Sequence, residues 1–265
     1  MLKSPGHIAF SIFSFDIYWY GIIMSISILC GLLVILKLRD KFFQDVTKDD
    51  IFDLSFALIV FGIFFARIYY VILDYKYFTK NISEIFSIWT GGISIHGAII
   101  GGIIATYLYA KENKKNFLKL ADLLTFGLVT GQIIGRWGNF FNSEAFGLPT
   151  NLPWKMYIPY LLRPEEYKSY EFFHPTFLYE SILSIFILIT LYFLLKRKNE
   201  IETGTIFFLY ITLYSIARML IETIRIDSIL NVGIFHFAHV ACIIFLTIGI
   251  LGLYFVNKRK KYNFE

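Results

Sequence analysis

Three arginines and one histidine stand in surroundings where a cation needs a reason to be. Arg67, Arg136 and Arg218 lie within or at the ends of apolar runs. An Arg at the centre of a membrane helix costs about 2.5–3.5 kcal/mol, so such residues normally face a partner or a polar cavity. The densest chemistry is in Gly135-Arg136-Trp137-Gly138-Asn139-Phe140-Phe141-Asn142-Ser143-Glu144-Ala145-Phe146-Gly147, which holds one Arg, two Asn, one Glu and three Gly in thirteen residues. Arg136 and Asn139 are three apart, hence on one face if a helix continues that far. An Arg fork beside an amide suits a phosphate group. A turn alone would need the glycines but not the Arg, Asn and Glu together. A second set, Arg218, Glu222 and Arg225, is spaced four and three and therefore shares a helix face. It reads either as a ladder that neutralises itself, with Glu222 orienting the two arginines, or as a net positive rim for an anionic head group.

His96 sits in Gly91-Gly92-Ile93-Ser94-Ile95-His96-Gly97-Ala98-Ile99-Ile100-Gly101-Gly102. It is a candidate base, with a reference pKa of about 6.5, or a hydrogen-bonding residue that braces its helix. Gly97 and Gly101 make one small-residue face, and Gly127, Gly131 and Gly135 make another. Packing of these two faces on each other is expected, which would hold His96 and Arg136 near one depth. Arg67, with Tyr69 and Tyr70 beside it, reads either as a helix-packing residue or as part of a site. Pro175 suits a first helical turn, and Glu180, a turn further in, calls for a cationic partner. Cys30 and Cys242 lie in separate apolar runs without a Cys or His at ligand spacing, so they read as buried thiols. No Ser-His-Asp set, zinc motif, phosphate-binding glycine loop or haem motif is found, and neither metal nor cofactor is expected.

The elements that must position these residues follow from composition. Of 265 residues, 57% are hydrophobic and only 17% charged, which excludes disorder and a disulfide-stapled secreted module and points to a membrane protein. Windows of about 20 apolar residues give seven spans: Ile17–Leu36, Ile51–Leu73, Ile93–Ala110, Leu120–Gly135, Thr176–Leu195, Thr205–Thr223 and Phe237–Val256. The first is not a cleaved signal peptide, because a small-residue cleavage site is missing and the basic run Lys37, Arg39, Lys41 follows it.

The net charge of +5 does not point to nucleic acid, since the cations cluster between spans. One set of alternate loops and its terminus, from Lys37 through Lys115, Lys119 and Lys198 to Lys261, holds fifteen cations; the other set holds seven. The positive-inside rule then puts the N-terminus outside and the C-terminus in the cytoplasm. The fold class expected is all-α, a single integral membrane domain over 1–265. A small extracytoplasmic head segment, 139–174, is inserted between the fourth and fifth spans.

The thirteen-residue stretch resembles the signature of the prolipoprotein diacylglyceryl transferases. The resemblance extends, in order, to Trp19-Tyr20-Gly21, the stretch 91–97, Ala121-Asp122, His174-Pro175-Thr176-Phe177-Leu178-Tyr179-Glu180 and Arg218…Glu222…Arg225, and so covers most of the chain. It implies a multi-pass enzyme of the bacterial cytoplasmic membrane with its active site toward the outer leaflet. Such an enzyme moves the diacylglyceryl group of phosphatidylglycerol to the lipobox cysteine of a preprolipoprotein signal peptide. His96, Arg136, Arg218 and Glu144 become the catalytic candidates. Arg136, Asn139, Tyr20, Gly147, Glu222 and Arg225 become the lipid-binding ones. Thiolate attack on a glyceryl carbon needs positive charge at the leaving phosphate and a base for the thiol, whose reference pKa is about 8.5. On pKa alone His96 is the better base; Glu144 and Arg-assisted thiolate formation stay open. The rival of another class is an anion or lipid transporter that binds through the same arginines. It would be expected to show repeated halves, which the chain lacks.

Overall fold

The computed structural model describes residues 1–13, 15–87, 91–197, 201–226, 231–232 and 235–262; Lys198, counted above among the cytoplasmic cations, lies outside them. The chain is mostly helical. Its main helices are α1 (Trp19–Phe42), α2 (Lys48–Leu73), the short α3 (Tyr75–Phe78), α4 (Ile95–Glu112), α5 (Phe117–Asn142), α6 (Thr176–Leu195), α7 (Thr205–Glu222) and α8 (Phe237–Tyr262). Among the described residues six helices are long and apolar enough to cross a membrane: α1, α2, α5, α6, α7 and the stretch Ala238–Arg259 of α8. The helix α4, where the sequence predicts a further span, has only 18 residues, so any membrane-length stretch within it takes in His96, Lys111 and Glu112.

The chain divides into two compact units. One comprises Leu36–Leu123. Its α2 begins with a reciprocal cap: Thr47 Oγ1 accepts from Asp50 N at 3.0 Å, and Asp50 Oδ2 accepts from Thr47 N at 2.6 Å. The same carboxylate takes Lys115 Nζ at 2.7 Å and Tyr109 Oη at 2.9 Å, and Lys119 closes on Asp45 at 2.6 Å. Two of the loop lysines are thus tied to acidic residues at the start of α2. Gly97 and Gly101 of α4 lie against the backbone of α2, where a methyl would fall on the carbonyls of Phe65 and Phe61.

The second unit comprises Met1–Ile35 and Leu124–Glu265. In it α5 packs on α1 through glycine: a Cβ on Gly127 would run into the side chain of Ile35, and one on Gly31 would sit 2.9 Å from Gly127 O. Gly131 and Gly135 face Met24 and Ser27 of the same helix. The expected pairing of the two glycine faces is therefore corrected. Each is occupied by a different neighbour, α2 for Gly97 and Gly101 and α1 for Gly127, because a small-residue face accepts whichever backbone reaches it. The helices α7 and α8 pack likewise at Gly249 and Gly252, against Thr212 and Phe208.

Short strands add to the all-α expectation. The strands β1 (Leu2–Lys3), β4 (Met156–Tyr157) and β5 (Phe172–Phe173) form a three-stranded sheet in the order β1-β4-β5. The strands β2 (Ile8–Ile12) and β3 (Phe15–Tyr18) form a hairpin that runs straight into α1. Within 139–174 the sheet covers a small apolar cluster in which Phe146, Met156, Ile158 and Phe173 are buried with Phe177 of α6. Arg163 closes the segment, donating to Ile158 O at 2.9 Å and Lys168 O at 3.2 Å.

Candidate active site

The helix α5 does not stop at Gly135 but runs to Asn142. Arg136 and Asn139 therefore do share a helical face. The chain then breaks through two left-handed residues, Ser143 and Ala145, each with φ of 53°. That break swings Glu144 back over the helix end, where it accepts from Asn139 Nδ2 at 2.9 Å and Asn142 Nδ2 at 3.2 Å. Both amides of the stretch thus converge on its one carboxylate. Tyr20, at the start of α1, lays its ring on Gly138, where a Cβ would sit 2.8 Å from the ring edge.

Gly147 sits at a junction of three segments. Its N–H donates to His174 O at 2.9 Å, it pairs with Arg225 in an isolated bridge, and a Cβ there would lie 2.7 Å from Ile224 O. Leu148 N donates to Ile224 O at 2.8 Å, and Thr176 Oγ1 donates to Ala145 O. This backbone lacing draws the start of α6 and the residues after α7 to the signature turn. His174, at the same junction, has its Nδ1 3.0 Å from Tyr179 Oη, and burial pushes its imidazole pKa below the usual value.

At the centre is Glu180. Its carboxylate is buried in α6 and meets cations from three other segments: Arg136 Nη2 of α5 lies 2.5 Å from Oε2, while Arg218 Nη1 of α7 and Arg225 Nη1, just after α7, lie 3.3 and 3.8 Å from Oε1. Arg218 Nη2 also pairs with Glu222 at 2.8 Å, as the four-residue spacing predicted. Arg136 Nη2 donates to Tyr214 Oη at 3.3 Å, and Gln132 Nε2 donates to Tyr210 Oη at 2.8 Å. Ser181 Oγ, next to Glu180, donates to Ile133 O at 2.9 Å and fixes α6 against α5. Among the described residues, the cluster brings three guanidinium groups onto the two carboxylates of Glu180 and Glu222. Buried charge is expensive, and each carboxylate offsets that cost by holding a fork in place. A small void between α6 and α7, lined by Glu180, Ser184, Tyr214 and Arg218 among others, lies beside the cluster.

The sequence-derived candidates therefore divide. Arg136, Arg218, Arg225 and Glu222 meet through Glu180, Asn139 and Glu144 meet each other, and Tyr20 and Gly147 pack on the signature. His96 belongs to the Leu36–Leu123 unit, in the first turn of α4, with its ring 5.9 Å from Tyr69. Glu180 and Tyr214 were not among the candidates. The signal for Glu180 was an acid one turn inside an apolar helix; Tyr214 lies four residues before Arg218 and so shares its face.

Comparison with known proteins places the whole chain in a family context. A family model described as prolipoprotein diacylglyceryl transferase matches residues 7–255. Among similar proteins, the phosphatidylglycerol–prolipoprotein diacylglyceryl transferase of Trichormus variabilis is 43% identical, covering 98% of this chain and 93% of its own. The protein of that name from Synechocystis sp. is 44% identical over 97% and 92%, and that from Clostridioides difficile 41% over 97% and 97%.

Proposed function

The chain belongs to the prolipoprotein diacylglyceryl transferase family, and on that premise we propose how its residues perform the transfer. It is a multi-pass membrane transferase that moves the diacylglyceryl group of phosphatidylglycerol to a prolipoprotein. The acceptor is the thiol of the lipobox cysteine. Sulfur forms a bond to the terminal glyceryl carbon, the bond from that carbon to the phosphate oxygen breaks, and glycerol phosphate leaves with the electron pair. The observation that carries this reading is the convergence of Arg136, Arg218 and Arg225 on the one carboxylate of Glu180.

Charge on the departing phosphate grows as the carbon–oxygen bond breaks. Donors fixed beforehand stabilise that growth more than they stabilise the bound lipid. Arg136 and Arg218 supply planar forks for the phosphate oxygens, from separate helices and hence from separate directions. Glu180 and Glu222 are positioning residues that hold those forks apart. Asn139 and Glu144 form the polar wall at the end of α5, with Tyr20 over Gly138 closing the lipid side, and Gly147 lets the Arg225 backbone approach. The thiol proton goes to His96, since a reference imidazole pKa of about 6.5 is closer to a thiol at about 8.5 than a carboxylate at about 4.3.

The membrane arrangement we propose has α4 as a seventh span, the N-terminus outside, the C-terminus in the cytoplasm and 139–174 as an extracytoplasmic head. Cation placement supports it, and a C-terminal reporter reading as extracytoplasmic would remove it. The location proposed is the bacterial cytoplasmic membrane, with the reaction at its outer leaflet. The transporter reading draws no support from the relatives' names. The decisive test incubates the purified protein with phosphatidylglycerol labelled in its diacylglyceryl moiety and a lipobox peptide. Label should reach the cysteine as a thioether; label only in water-soluble products, or none transferred, would overturn the assignment.

A further inference from the structure

Arg67 lies outside the arginine cluster, in the Leu36–Leu123 unit, and none of the roles above uses it. It is buried within α2. Among the described residues no carboxylate comes within ion-pair distance of it; its donors go to main-chain carbonyls instead. Nε donates to Ile85 O at 2.8 Å and Nη2 to Glu84 O at 2.6 Å, while Nη1 donates to Gly91 O at 2.7 Å and to Gly92 O at 2.8 Å. The rings of Phe78 and Tyr70 stand 5.2 and 5.8 Å from its carbon Cζ. One guanidinium thus gathers two stretches of backbone, 84–85 and 91–92, and its planar fork can hold both at once where a point charge cannot.

The second stretch leads to His96 within four residues. Gly91 and Gly92 have φ of 90° and 73°, which an L side chain resists, and a Cβ on Gly92 would sit 2.7 Å from Arg67 Nη1. Ser94 N then donates to Ala66 O at 3.0 Å, the residue beside Arg67, and α4 begins at Ile95. Gly97 pins the other side of His96 to α2. The entry of the helix that carries His96 is therefore fixed from α2 on both sides.

We infer that Arg67 is a positioning residue for His96: it clamps the glycine turn at 91–92 and so sets where the imidazole stands. The consequence for activity rests on the proposed role of His96 as base; the positioning itself does not. The test uses the full chain in detergent with Arg67→Lys, which keeps the charge and loses the fork. A second variant is Gly91→Ala, whose methyl meets nothing within 4 Å but opposes the φ of 90°. The first readout is the rate at which diethyl pyrocarbonate modifies His96, followed by peptide mass spectrometry, with exposed His7 as the internal control. Either folded variant should change the His96 rate severalfold and leave His7 alone. The second readout is kinetic: kcat should fall about 10–100-fold, as a misplacement of roughly 1 Å can cause, while KM for phosphatidylglycerol holds. An unchanged His96 rate in the folded variants overturns the inference, and if Arg67→Lys does not fold, Gly91→Ala decides alone. If His96 is not the base, His96→Gln will stay active while the modification rate still responds to Arg67→Lys, which separates the two failures.

Discussion

Arg67 and Arg136 are both guanidinium groups in apolar helices, and they are satisfied in opposite ways. Arg67 donates to four main-chain carbonyls, which cannot leave. Arg136 rests on a side-chain carboxylate and a tyrosine hydroxyl, and it shares the carboxylate with Arg218 and Arg225. Carbonyl dipoles fix a cation without neutralising it, whereas a shared carboxylate neutralises part of a cluster and can yield a fork to another anion. Burial of an arginine is therefore not what marks a binding site. The nature of its partners is.

The contrast is open to breakage at four points, taken from the largest effect down. His96→Gln should lower the initial rate of thioether formation by about 10²–10⁴-fold, the usual contribution of a general base. A rate within about threefold of wild type, a cut set well below that contribution, would move the base to Glu144 or to Arg-assisted thiolate formation. Arg136→Ala should cost on the order of 10²–10³-fold, as removing one preorganised donor does. Arg136→Lys should recover little, and substantial activity there would mean the cluster needs charge and not a fork. Glu180→Gln should lower kcat by about tenfold, a fraction of what a lost donor costs. It should also destabilise the folded protein by about 3 kcal/mol, since it strands buried cations. Thermal unfolding and single-turnover rates measure both; if neither changed, Glu180 would not be holding the forks. The smallest effect concerns His174. Its folded pKa lies below the unfolded value, so the fold favours the neutral ring. The stability it contributes is present above the unfolded value of about 6.5 and is lost as pH falls toward the depressed folded value. Protease resistance of 139–174 should accordingly decline on acidification, and His174→Gln should flatten that decline.

Helix placement was legible wherever apolar length alone decides it. The span expected at Thr176–Leu195 matches α6, and Thr205–Thr223 differs from α7 by one residue. It was less legible at α5, where glycine and amide residues from 135 to 142 read as the end of a span but continue the helix. The cluster was half legible. Spacing along one helix announces Arg218 with Glu222, whereas Glu180 meets arginines 38 to 45 positions away, and no local pattern encodes that. The glycine faces were visible as faces and misassigned as partners, because smallness says that a backbone comes close and not which one.

The lysines between α4 and α5 serve at two different moments. In the topology proposed above, the charges at Lys111, Lys114, Lys115 and Lys119, in and beside that loop, hold it on the cytoplasmic side while the chain is threaded into a bilayer and no native contact exists; acidic residues contribute little to that choice. Once the helices assemble, Lys115 pairs with the buried carboxylate of Asp50 and Lys119 with the exposed Asp45, and together they latch the entry to α2. On that proposed topology, the biogenesis signal is recycled as a structural part. Asp50→Asn should then loosen the mature protein without inverting it, whereas removing all four lysines would act earlier, on which way the chain goes in.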